Sequence, residues 1–162
     1  MSRKEFNIVN KSDYYKLLIQ GIELQSVSLT SANSVRNVTL LEIPEVSKAK
    51  INVKPNFTME EMHSSDVFIG KSVVTVSVHG IIKHKRRKLA RFVLTHDLIY
   101  EIQPKVLEQL RDAEGGVLSE VLEQFARSNV GVNVWPYARA ELAHISSVMG
   151  LPVITLQVMR RV

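Results

Sequence analysis

The clearest periodic signal in the chain is "DVFIGKSVVTVSVHGII", residues 66 to 82, where Val74, Val76 and Val78 alternate with Thr75 and Ser77. A period of two puts the valines on one face of an extended backbone and the hydroxyls on the other, which predicts a strand with one covered side. "KLARFVLTHDLIYEI" follows, alternating Leu89, Arg91, Val93 and Thr95 less cleanly but rich in β-forming residues. Upstream, "QGIELQSVSLT" places Ile22 and Leu24, then Val27 and Leu29, on alternate positions, with a phase slip at Gln25-Ser26 that predicts a bulge. "AKINVKPNF" alternates Ile51, Val53 and Phe57, and Pro55 consigns its end to an edge or to an exit from the strand because proline cannot donate to a ladder.

From Pro104 the period lengthens. Val106, Leu107 and Leu110 in "KVLEQLRDAEGG", then Val117, Leu118, Val121, Leu122 and Phe125 in "GGVLSEVLEQFARSN", form helical stripes separated by Gly115-Gly116. In "VGVNVWPYARAELAHISSVMGLP" the spacing predicts a helix with Pro136 in its first turn and Ala138, Leu142, Ile145 and Met149 on one face. Gly150 suits the position just past the helix end, and Pro152 prevents continuation. The tail "VITLQVMRRV" reads as a final β-like run. Strands followed by helices, without βαβ alternation, define an α+β fold on an antiparallel sheet. No internal repeat is visible.

Composition narrows the function classes. At 162 residues and 45% apolar content the chain is expected to form one soluble domain spanning 1–162. It has no cysteine, which excludes disulfides, thiolate metal sites and thiol nucleophiles. No run approaches the apolar length of a membrane span, and the N-terminus lacks the apolar core of a signal peptide, so a cytoplasmic location is expected.

The net charge of +5 is local, because Lys83, Lys85, Arg86, Arg87, Lys88 and Arg91 carry six positive charges in one short stretch, leaving −1 for the rest. Their place between two predicted strands makes "HGIIKHKRRK" the tip of a hairpin, too short for a helical crossover. Lys83, Lys85, Arg86, Arg87 and Lys88 could neutralise several phosphates or an acidic partner. The nearest aromatics, Phe92 and Tyr100, lie inside the following strand, so base stacking has no platform and nucleic acid is the weaker alternative.

Catalysis finds little support. His63, His79, His84, His96 and His144 are scattered without the spacing of a paired metal site, and Glu60-Glu61-x-His63 lacks a second histidine. His96 and Asp97 point to opposite faces of a strand and cannot orient one substrate together. Gly115-Gly116 is not followed by the lysine and hydroxyl residue of a phosphate loop. No catalytic residue, metal or cofactor is expected.

The segment "WPYARAELAHISSVMGLPVITLQ" resembles the signature of SecB-type export chaperones, in which an aromatic-Pro-Tyr-Ala-Arg element, here Trp135, Pro136, Tyr137, Ala138 and Arg139, opens a helix that ends in a turn containing Gly and Pro. The resemblance extends in element order over roughly residues 20 to 158: a strand ending "SLTSA", the "INVKPNF" strand, a long hairpin and a helical crossover. It implies a four-stranded antiparallel sheet with helices on one face, assembled as a dimer of dimers. The implied activity is an ATP-independent holdase that binds apolar segments of unfolded polypeptides in grooves under the crossover, without any covalent chemistry. Leu107, Leu110, Leu118, Val121, Leu122, Phe125 and Trp135 are the groove candidates, with ordinary core as the competing reading. For Trp135 to Arg139 that reading is helix docking or subunit packing.

Three departures qualify the resemblance. Arg139 is followed by Ala140 before Glu141, one residue later than the family's Arg-Glu. The sequence stops at "VMRRV", where longer members add a helix, so a groove that is more open, or walled by a partner instead, is expected. The balance of charge is basic, whereas family members present acidic side chains to the motor SecA, which argues against that docking. These features look more like SecB-like chaperones associated with toxin–antitoxin pairs, whose client is an aggregation-prone antitoxin. Unfolded preprotein and antitoxin both remain open as clients.

Overall fold

The computed structural model describes residues 11–62 and 65–159. The N-terminal stretch read for a signal peptide, His63 and the end of the "VMRRV" tail lie outside the described residues. The helices are α1 (Lys11–Gly21), α2 (Pro104–Asp112), α3 (Val117–Phe125) and α4 (Gly131–Val148), and the strands are β1 (Ile22–Arg36), β2 (Ser47–Glu61), β3 (Val67–Ile82) and β4 (Lys85–Ile102). A 3₁₀ turn, Ile43–Glu45, interrupts the β1–β2 connection, and one π-helical turn, Ala126–Val130, joins α3 to α4.

The four strands form one antiparallel sheet in the order β1-β4-β3-β2. The predicted valine face is confirmed: Val74, Val76 and Val78 are buried, as are Leu94, Phe92 and Ala90 opposite them on β4 and Leu98 further along the same face. The apolar face of β4 therefore falls on even-numbered positions. Leu89 is buried as well because a register shift between Val78 and His79 leaves it without an opposite residue, and that bulge exchanges the faces of the β4 residues nearer the tip while β3 keeps its alternation. The slip predicted at Gln25-Ser26 is a register shift between Leu24 and Ser26. Pro55 lies in the middle of β2, and β2 is an edge strand as the proline requires.

All the helices lie on the valine side of the sheet, in two adjoining clusters. Leu18, Phe68, Leu98, Tyr100 and Ile102 pack with α2, α3 and the π turn, while Val74, Val76, Phe92 and Leu94 pack with Trp135, Ala138 and Leu142 of α4 and with Ile154 and Leu156. Gly115 and Gly116, with φ of 81° and 69°, break α2 from α3 as expected. Gly150, at φ 73°, ends α4 in the left-handed conformation that its lack of a Cβ permits.

Two expectations are corrected, and one helix is new. Pro136 is not in the first turn: α4 begins at Gly131, because the backbone passes from α3 through the π turn without leaving helical geometry, so the proline interrupts an existing helix. The tail forms no strand among the described residues; Ile154 and Leu156 are buried at alternate positions by packing under α4, not by ladder pairing. Helix α1 was not anticipated, since only Leu18 and Gly21 in it are fully buried and its apolar stripe is thin.

Candidate functional site

A groove of about 860 Å³ opens on the helical side, lined by Tyr15, Lys16, Ile19 and Gln20 of α1, Phe57 of β2, Gln124 of α3, Arg127, Ser128 and Asn129 of the π turn, Val132 of α4, and Met159. Its position follows from chain geometry. The π turn accommodates an extra residue per turn, and Asn129 within it is buried and donates from Nδ2 to the Tyr15 hydroxyl at 2.7 Å, tying the turn to α1. On the other side Gly131 lets the π turn approach β2: a Cβ built there would sit 2.5 Å from Phe57 Cε2. The glycine thereby sets how far the Phe57 ring intrudes.

The lining is suited to a variable guest. Ile19 is 41% exposed, and with Phe57, Val132 and Met159 it offers apolar surface, the thioether adding an adaptable contact. Gln20 and Gln124 can satisfy main-chain groups of an extended peptide whatever its side chains. Among the described residues no carboxylate lines the groove; Lys16 and Arg127 are drawn toward Asp13 at 3.8 Å and Glu123 at 3.5 Å on their own helical segments.

The sequence-derived groove candidates lie elsewhere. Leu107, Leu110, Val121, Leu122, Phe125 and Trp135 are buried in the core, and Leu118 is half-buried against it; none of the seven lines the groove. The expectation of accessible apolar surface on those side chains is corrected, because the crossover helices direct their stripe onto the sheet. Phe125 meets Tyr100 edge to face with centroids 5.1 Å apart. Tyr100 is buried, which pushes its hydroxyl up to about 12, and Asn133 donates to it at 2.9 Å, a weaker opposing effect.

The signature residues serve α4. Trp135 packs on the sheet and its ring N–H donates to the Gln157 carbonyl at 2.6 Å, fixing the segment after the helix; Ala138 is buried where the helix meets the sheet. Pro136 and Tyr137 face outward. Arg139 borders a shallow cleft beside Thr155 to Val158 and makes no ion pair among the described residues. Glu141 reaches the fully buried His96, with 2.6 Å between its carboxylate and Nε2. The histidine's Nδ1 and the hydroxyl of Ser72, its neighbour across the β3–β4 ladder, have no hydrogen-bond partner among the described residues. Sequence reasoning could see His96 and Glu141 but not their pairing, which spans 45 positions.

The basic hairpin closes as predicted, with only Lys83 and His84 in the turn, both at positive φ (49° and 65°). Lys85 to Lys88 belong to β4 itself. Arg87 is neutralised by Glu42 at 2.8 Å, and the Thr39 amide together with that guanidinium holds the Glu42 carboxyl below its ordinary range. A second cavity, about 310 Å³, lies near this end and is lined only by apolar residues, among them Val38, Ile43, Val46, Ile51 and Ile154. Among the described residues no three His, Asp or Glu side chains gather where a metal ion would fit, and no helix is long and apolar enough to cross a membrane.

The four-stranded antiparallel sheet with its helices on one face is the α+β SecB-like fold. The solved structure that supports this is the Mycobacterium tuberculosis Rv1957 SecB-like chaperone, in complex with a ChAD peptide from the Rv1956 HigA1 antitoxin; it matches with a TM-score of 0.72 at 10% identity, over 93% of this chain and 99% of that one. A protein of unknown function from Streptococcus agalactiae overlaps at a TM-score of 0.42 and 12% identity, over 84% of this chain and 96% of its own. No protein-family model and no curated protein matches the sequence.

Proposed function

We propose that this chain is an ATP-independent chaperone that holds aggregation-prone polypeptide segments in the groove between α1 and the π turn. The observation that carries the reading is the groove itself: about 860 Å³ of mixed apolar and amide lining on a SecB-like scaffold. Burial of one Leu-sized side chain against such surface contributes about 2 kcal/mol, so several together retain an unfolded segment while none is indispensable. The buried Leu107, Leu110, Val121, Leu122, Phe125 and Trp135, with the half-buried Leu118, support the groove walls, and client contact falls to Ile19, Phe57, Val132 and Met159. The M. tuberculosis protein was solved with an antitoxin peptide; an antitoxin is a fitting client here, and an unfolded preprotein would be held by the same contacts. The activity requires no cofactor and makes no covalent bond.

The working unit is a homo-oligomer of this single 1–162 domain in the cytoplasm. On the helical side of the sheet the helices leave β1 uncovered, so Leu24 and Leu29 stay 40% and 42% exposed on an edge strand, and Tyr137 and Val148 are exposed on α4. A second copy laid along β1 would cover that edge, and a helix-to-helix contact would join two such pairs.

Light scattering of a chemically denatured protein diluted into buffer with stoichiometric chaperone and no ATP tests the reading. The wild type suppresses scattering, and Ile19→Asp with Val132→Asp abolishes suppression without lowering the melting temperature. Equal suppression by the double variant would remove the groove from the account.

A further inference from the structure

The sheet's other face carries a second interaction surface. The cross-strand register places Lys50, His79 and Lys88 side by side on β2, β3 and β4. Toward the tip Ile81 pairs with Arg86, and in the opposite direction Ser77 pairs with Arg91, and Lys54 with Thr75. Directly opposed residues point to the same face, so Lys50, Lys54, Arg86, Lys88 and Arg91 all project from the side without helices. The bulge at Leu89 produces this: it turns Lys88 and Arg86 to the open face and sends Arg87 toward Glu42 on the helical side. All five cations are exposed and none forms an ion pair among the described residues.

The opposite end of the same face is acidic. Glu60, Asp97 and Glu101 lie there, and the Lys71 ammonium among them is bound to Glu60 at 2.9 Å. Cations are thus paired at one end and left together at the other. Strand spacing of about 4.8 Å and a repeat of about 6.8 Å along each strand put neighbouring cations of the patch within roughly one Debye length at physiological salt. Their potentials add, so the unpaired cations repel one another across the patch. An anionic partner would relieve that repulsion.

We infer that the basic end of the open face binds an extended acidic polypeptide segment. Carboxylates at every second residue of an extended chain repeat at the same roughly 6.8 Å as the cations of one strand, and Ile81, Val93 and Val73 on that face give apolar contacts between the charges. The open face of β3 and β4 carries no Phe, Tyr or Trp, and its one imidazole, His79, gives no run of rings on which successive nucleic acid bases could stack. This surface lies across the sheet from the groove, so it recruits an acidic partner while the groove holds a client.

The test is fluorescence anisotropy with two labelled probes, a twelve-residue peptide alternating Glu and Val and a dT12 oligonucleotide, titrated with full-length protein across a salt series. The acidic peptide binds and its affinity falls with salt; a matching Gln–Val peptide does not bind. The triple variant Lys50→Gln, Lys88→Gln, Arg91→Gln weakens the Glu–Val peptide about tenfold or more and flattens the salt slope, while suppression of aggregation persists. Lys83→Gln with Lys85→Gln, which removes cations from the turn and the helical side, weakens it less than about threefold. Absence of peptide binding at low salt, tighter binding of dT12 than of the peptide, or equal losses in the two variants would each overturn the inference. Circular dichroism of each variant confirms that the comparison is between folded proteins.

Discussion

The two faces of the β3–β4 hairpin come from the same residues in alternation, yet they obey different rules. On the helical face every position of β3 from Phe68 to Ile82 is buried, and the two polar residues that intrude, Ser72 and His96, are adjacent. On the open face the intervening positions of β3 are all intermediate in exposure, and they mix Val, Ile, Thr, Ser, Lys and His. The covered face is governed by volume and hydrogen-bond satisfaction, the open one by charge. Substitutions should therefore separate cleanly by parity.

The largest effect is expected from truncation on the covered face. Phe92→Ala should cost about 3–5 kcal/mol, and denaturant unfolding should show the loss, while Val93→Ala, one residue away, should cost less than about 1 kcal/mol. Comparable losses at the two positions would end the distinction. Next comes the buried histidine: Glu141→Ala leaves His96 Nε2 without its partner and should cost about 2 kcal/mol. Ser72→Ala removes a hydroxyl with no partner among the described residues, and its effect should be near zero or stabilising. A loss above about 1 kcal/mol for Ser72→Ala would show that this hydroxyl makes a contact the fold depends on.

The alkaline limb of stability tests the same face. Burial raises the folded-state value of Tyr100 to about 12, above the value near 10 of an unfolded tyrosine. The sign follows from linkage: the contribution is intact below pH 10 and is lost as pH rises from 10 to 12. The ultraviolet ionisation signal of Tyr100, isolated by difference against Tyr100→Phe, should appear only near pH 12 or together with unfolding. The smallest effect is expected on the open face, where the Lys71–Glu60 pair is solvent-exposed; Glu60→Gln should change stability by no more than about 1 kcal/mol.

The same parity explains what could be read from the sequence. Val74, Val76 and Val78 announced β3 because a covered face forces alternation, and Gly115-Gly116 and Gly150 marked helix ends because positive φ favours glycine. Strand β1 was only partly legible, since an edge strand with no helix over it shows no burial rhythm. Ile154 and Leu156 mimicked a strand because an extended segment packed under a helix buries alternate residues too. The groove left no local trace. Its lining comes from four separate stretches of the sequence, and the π turn that shapes it has no period of its own within "FARSNV". The crossover leucines drew attention because apolar stripes are visible in sequence, whereas which side of a helix remains uncovered is decided only by packing.

Gly131 is the position that ties this packing to binding. Gly131→Ala would drive the Phe57 ring toward the groove and should reduce client affinity more than it reduces stability.

The most direct test of the central claim is a photo-crosslinker placed at Gln20, in the groove, and separately at Thr95, on the open face, each challenged with a denatured client. The account predicts crosslinks from position 20 that are competed by excess unlabelled client, and none above background from position 95. Crosslinking from 95 alone, or equally from both, would contradict it.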